Sequence, residues 1–150
     1  MNKWDKRFIK LADHIASWSK DPSTKVGAVL VRPDRTIASV GYNGFPRGTA
    51  DEYTTRADKL MRTVHAEMNA LLSCRELVEG YTLYVSPLFP CSNCAAAIIQ
   101  SGVTTVVATM GEERIDWQQS FFVAKEMFDQ AGVKFTVVKK EEDDGSTGEI

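Results

Sequence analysis

The strongest constraint on how this chain can fold is a set of three soft metal donors divided between two short runs. His65 lies in Val64-His65-Ala66-Glu67-Met68-Asn69-Ala70, and Cys91 and Cys94 lie in Phe89-Pro90-Cys91-Ser92-Asn93-Cys94. A Cys-x-x-Cys step lets two sulfurs face one ion, and one imidazole with two thiolates suits tetrahedral zinc. Three protein ligands leave a corner for water, which separates a catalytic zinc from a structural one. Glu67 stands two residues beyond His65. If a helix begins there, its carboxylate can reach that water without binding the metal. Each run alone is ambiguous, because Cys-x-x-Cys also serves thiol redox pairs and His-x-Glu also occurs in plain helices. Together, with Pro90 before the first cysteine, they point to a catalytic zinc on His65, Cys91 and Cys94, with Glu67 as proton carrier.

The rest of the composition bounds the setting. A chain of 150 residues, 43% hydrophobic and 25% charged, is expected to form one domain over residues 1–140 with a substantial core. Residues 141–150 are acidic and rich in small polar side chains, so they are expected to be a disordered tail. No apolar run reaches membrane-spanning length and the first residues lack a signal-peptide core, which predicts a cytoplasmic protein without membrane partners. Three cysteines, two of them assigned to metal, fit a reducing compartment. Cys74, among Leu71, Leu72 and Leu77, is expected to be a small buried apolar residue. The net charge of −2 argues against a polynucleotide partner, which asks for a basic patch.

Trp4, Phe8, Leu11, Ile15 and Trp18 recur at helical spacing and predict a helix over residues 3–18, ended by Asp21-Pro22. Residues 25–31 and 36–42 read as two strands joined by the turn Arg32-Pro33-Asp34-Arg35, hence an antiparallel pair. The glycine-rich run of residues 41–48 reads as a loop, and residues 49–63 as loop with a short helical piece. Helices are predicted over 65–79, 91–100 and 117–130, alternating with strands over 81–86, 103–109 and 133–138. That alternation implies right-handed crossovers and parallel pairing. The predicted fold class is α/β, a three-layer α/β/α arrangement with a five-stranded mixed sheet and helices on both faces. Two helix N-termini then converge on the metal donors, where their dipoles favour thiolates.

His-x-Glu followed by Pro-Cys-x-x-Cys is the signature of zinc nucleobase deaminases. With Ser19-Lys20-Asp21-Pro22, Lys25-Val26-Gly27-Ala28, Gly41-Tyr42-Asn43-Gly44-Phe45-Pro46-Arg47-Gly48 and Ala131-Gly132-Val133, the chain resembles the deoxycytidylate deaminase family of the cytidine deaminase superfamily. The resemblance covers residues 4–138. It implies a cytidine deaminase-like fold and the reaction of dCMP with water to give dUMP and ammonia, supplying dUMP for dTMP synthesis. Glu67 carries a proton from the water to ring nitrogen 3 while water adds at ring carbon 4. It further implies that the Ala66 amide and the Pro90 carbonyl read the pyrimidine edge, that Asn43 binds the sugar, and that Ser19, Lys20 and Arg114 cradle the phosphate. Members are commonly hexamers activated by dCTP and inhibited by dTTP with Mg2+, which would give Gly44, Phe45, Pro46, Arg47 and Gly48 an allosteric role.

One departure stands out: Arg114 is followed by Ile115, where relatives often place an aromatic residue. No Cys/His-rich insertion precedes His65, so a second zinc is not expected. A tRNA adenosine deaminase shares the zinc motifs but wants a basic surface, and free-cytidine deaminases more often use cysteine in place of His65. A nucleotide-binding regulator with a closed structural zinc would have no use for Glu67.

Overall fold

The computed structural model describes residues 1–110 and 118–139. Arg114, Ile115 and the tail of residues 141–150 lie outside the described residues. Among those described, the elements run α1 (Lys3–Ala16), β1 (Gly27–Val31), β2 (Ile37–Tyr42), α2 (Arg56–Arg62), α3 (Ala66–Ser73), β3 (Thr82–Ser86), α4 (Ser92–Ser101), β4 (Thr105–Met110), α5 (Gln118–Ala131) and β5 (Lys134–Lys139). The strands form one sheet in the order β2-β1-β3-β4-β5. β1 pairs antiparallel with both β2 and β3, and β3-β4-β5 are parallel. The mixed five-stranded sheet matches the expected fold class.

Strand alternation divides the core into two layers. Ala28, Leu30, Leu83, Val85, Val106 and Ala108 face one side, where they pack against Ala66 and Ala70 of α3, Cys94, Ala95 and Ile98 of α4, and Phe121, Ala124 and Phe128 of α5. Val29, Val31, Tyr84 and Val107 face the other side, where Phe8, Ile9, Ala12 and Ile15 of α1 cover them. Strands buried on both faces must be apolar at every position, which is why β1 reads Gly-Ala-Val-Leu-Val without alternation. Two glycines set the distance of the helices from the sheet. A Cβ on Gly27 would collide with the Ala12 carbonyl oxygen of α1, and one on Gly41 would collide with the Ala70 amide of α3.

Several boundaries differ from the sequence-based expectation. α1 stops at Ala16 rather than at residue 18, and Trp18 is exposed against the edge of Tyr42. The helix expected over residues 65–79 ends at Ser73, because Cys74 turns to extended backbone. Leu72 and Leu77 are exposed, so their helical spacing does not mark a buried face. Cys74 is only partly buried and packs at the margin of the core. The short helical piece is α2, begun by Thr55, whose side chain accepts from the Asp58 amide as an N-cap. α4 ends at Gly102, which adopts the left-handed conformation (φ 95°) that favours glycine at a helix end. Among the described residues, no helix is long and apolar enough to cross a membrane.

Candidate active site

His65 and Cys91 occupy equivalent positions, each the extended residue before a helix: His65 before α3 and Cys91 before α4. Neither side chain caps its own helix. Cys94 lies one turn into α4, so both sulfurs point the same way. The two helices pack on the same face of the sheet. There His65 Nδ1 comes within 3.5 Å of Cys91 Sγ and 3.4 Å of Cys94 Sγ. Donor atoms of all three lie within 4.8 Å of one another, and among the described residues this is the one such group of three or more metal-binding side chains. One nitrogen and two sulfurs at this spacing fit zinc in both chemistry and reach. The α5 side of the site is braced by Ser120, whose Oγ accepts the Ser92 amide at 2.8 Å.

Protonation in the trio is strongly biased. Cys91 receives a hydrogen bond from the Cys94 thiol and another from His65, which together overcome burial and hold its thiol down to about 4. Cys94, as donor to Cys91 and deeply buried, is held up. His65 is raised by its hydrogen bond to Cys91. Cys91 and Cys94 would hold a divalent ion as two thiolates, with the proton on Cys94 released.

Glu67 is only 4% exposed and stands outside the donor trio. Burial raises its carboxyl above the ordinary range, and the charge of His65 opposes that rise. It lies on a narrow cavity of about 70 Å³ together with His65, Ala66, Cys91, Leu88 and Phe89. A carboxyl outside the metal ligands, with its protonated form favoured by burial, is placed to carry a proton.

Asn43 follows β2 and lines the same cavity. Its Oδ1 accepts the Val26 amide at 2.9 Å and its Nδ2 donates to the Thr24 carbonyl at 2.8 Å, so the side chain pins the approach to β1. Gly44 and Val64 then form an isolated antiparallel bridge, with N···O distances of 3.1 and 2.8 Å, tying this loop to the residue before His65. Asn69 of α3 adds a bond from Nδ2 to the Tyr42 carbonyl at 2.8 Å.

The remaining expected residues are placed differently. Ala66 and Pro90 are buried beside the trio. Ser19 is buried, and its hydroxyl donates to the Asn43 carbonyl at 2.8 Å. Lys20 is exposed, pairs with Asp51 at 3.0 Å, and lines a neighbouring cavity of about 420 Å³ with Gly44 and Phe45. Pro46, Arg47 and Gly48 are exposed beyond it, with Gly48 at φ 81° in the turn. Sequence reasoning missed the three charged residues Asp21, Arg56 and Lys59 among the lining of the first cavity. Asp21 and Lys59 form a nearly buried ion pair at 3.1 Å. They are 38 residues apart, so no local signal links them.

Residues 2–110 match the family model of the cytidine and deoxycytidylate deaminase zinc-binding region. The chain belongs to this deaminase family. It is 45% identical over 140 residues to an uncharacterized deaminase in the luxG 3′ region of Aliivibrio fischeri, covering 91% of this chain and 94% of the relative. It is 35% identical over 142 residues to the human deoxycytidylate deaminase, covering 89% and 78%. The dCMP deaminase of cyanophage S-TIM5, solved in complex with dCMP and dUMP, superposes with a TM-score of 0.76 at 27% identity, covering 92% of this chain and 99% of the other. For a zinc-binding deaminase the placement of His65, Cys91 and Cys94 at two helix starts has a clear use. The helix dipoles oppose the charge repulsion of two adjacent thiolates.

Proposed function

We propose that this protein deaminates dCMP hydrolytically, giving dUMP and ammonia. The observation that carries the reading is a buried carboxyl, Glu67, beside but outside a three-donor His/Cys/Cys cluster. Support for the substrate comes from relatives named deoxycytidylate deaminase and from the S-TIM5 enzyme, solved with dCMP and dUMP. His65, Cys91 and Cys94 would hold zinc, which would supply a Lewis acid able to bring the pKa of water toward about 7.

The chain's own groups do the rest. Glu67 accepts a proton from the attacking water, delivers it to ring nitrogen 3, and passes the second proton to the amino group, which leaves as ammonia. The Ala66 amide and the Pro90 carbonyl read the pyrimidine edge. The Cys91 amide faces the charge that grows during addition, and fixed donors of this kind stabilise the transition state because they need no reorganisation. Asn43 faces the sugar, held still by Ser19, Thr24 and Val26.

The wild-type protein loaded with zinc is expected to release ammonia from dCMP. Glu67→Gln is expected to keep its zinc and lose about 10²- to 10⁴-fold in kcat. No turnover of dCMP by the wild type, or full turnover by Glu67→Gln, overturns the reading.

Regulation is read from the resemblance together with one contact. We infer a hexamer in which dCTP activates and dTTP with Mg2+ inhibits through Gly44, Phe45, Pro46, Arg47 and Gly48. The Gly44–Val64 bridge supports this, because a shift of the loop reaches His65 through a single residue. Arg47→Ala is expected to abolish the response to both triphosphates, and an unchanged response refutes the assignment.

A further inference from the structure

The reaction centre accounts for part of the lining of the narrow cavity but not for all of it. Besides the reaction centre and Asn43, the cavity is lined by Asp21, Ser23, Thr24, Arg56, Lys59 and Leu60, so a nucleotide whose pyrimidine reaches the trio has these residues around its sugar and phosphate. Among them are two cations with opposite fates. The Lys59 ammonium is neutralised within the protein, at 3.1 Å from Asp21 Oδ1 and 3.2 Å from Ser23 Oγ, with its side chain only 6% exposed. Arg56, one turn earlier on α2, is exposed and takes part in no ion pair among the described residues. Among the described residues, its guanidinium is thus the uncompensated positive charge on a cavity whose other charged side chains belong to the Lys59 pair or to the reaction centre.

The geometry points to Arg56 as the residue that recognises the 5′-phosphate of the substrate, on a cavity that Ser23 and Thr24 also line. The inference rests on the nucleotide reading above and names the group that separates a nucleotide from a nucleoside. Guanidinium suits the task because it stays charged at all working pH values and offers paired donors that match phosphate oxygens. The Asp21–Lys59 pair keeps α2 against the 21–24 loop, so the two walls are held at a constant separation. In the structure the Ser19 hydroxyl donates to the Asn43 carbonyl and Lys20 lines the adjoining cavity.

The test is calorimetric binding of dUMP and deoxyuridine to the zinc-loaded full chain, with Arg56→Ala and Arg56→Lys as variants. Wild type is expected to prefer dUMP. Arg56→Ala is expected to weaken dUMP by about tenfold or more, the scale of a charged hydrogen bond, while deoxyuridine is unchanged. Arg56→Lys should restore part of the difference, because it returns the charge without the paired donors. Equal binding of dUMP and deoxyuridine by the wild type, an unchanged dUMP affinity in Arg56→Ala, or parallel loss of both ligands each overturns the assignment. Because nothing is turned over, a failure of the proposed reaction shows separately, as absent ammonia release from dCMP.

Discussion

Gly41→Ala tests whether the metal site is built by helix packing. Gly41 lies in β2 directly under α3, and an added Cβ would sit 2.5 Å from the Ala66 carbonyl oxygen and 2.9 Å from the Asn69 carbonyl carbon, with the Ala70 amide closer still. Ordinary contact begins at 3.4 Å, so the start of α3 has to retreat by about 1 Å. His65 immediately precedes Ala66 and retreats with it. Cys91 and Cys94 lie at the start of α4, none of whose atoms is among the nearest to the added Cβ, so they move less. Metal–ligand distances tolerate only about 0.2 Å. A displacement several times larger should cost about 10- to 100-fold in zinc affinity, as loss of a supporting contact to a ligand does. Overpacking alone should cost the metal-free protein about 1–3 kcal/mol. Competition against a chromophoric chelator measures the first, and denaturant unfolding of the metal-free protein measures the second. Wild-type zinc affinity in Gly41→Ala would refute the claim that α3 seats His65 through this contact.

Two further outcomes follow from the same geometry. Stripping zinc with a strong chelator should abolish activity and lower the melting temperature, both restored by zinc, since binding to the folded state alone stabilises it; a melting temperature indifferent to chelator would count against a built site. Lys59→Met should cost about 3 kcal/mol, because it leaves the Asp21 carboxylate nearly buried without its cation. That cost should depend on acid. Burial works against the charge of Asp21, but the Thr24 and Ser23 amides and Lys59 outweigh it and hold the carboxyl below its ordinary 3.8. A lowered pKa gives stability that is present above 3.8 and fades as pH falls through the folded-state value, so the gap between wild type and Lys59→Met should close below about pH 4. A gap constant from pH 7 to pH 3 in urea titrations would show that the ion pair is not its source.

Much of the architecture was legible because buried strands and helix stops are written locally. The apolar run of β1 and the stop at Gly102 are properties of neighbouring residues. The reading erred where apolar residues keep helical spacing without a core to face. Leu77 is 84% exposed, and the helix ends well before it. α2 carried too few apolar residues to register by periodicity, and only its Thr55 cap marks it. The metal donors were legible for another reason: few arrangements of one histidine, one acid and two cysteines serve any chemistry but this one.

What the chain alone determined is the set of candidate metal donors and the order of strands and helices, since both depend on residue type and short spacing. The folded structure decided the rest. It placed Ser19 against Asn43 and set Lys59 on Asp21 across 38 residues. It also left Arg56 as the unpaired cation on the cavity among the described residues. Those outcomes turn on whether a charge meets an opposite charge once distant segments close together, and no local pattern of residues encodes that meeting.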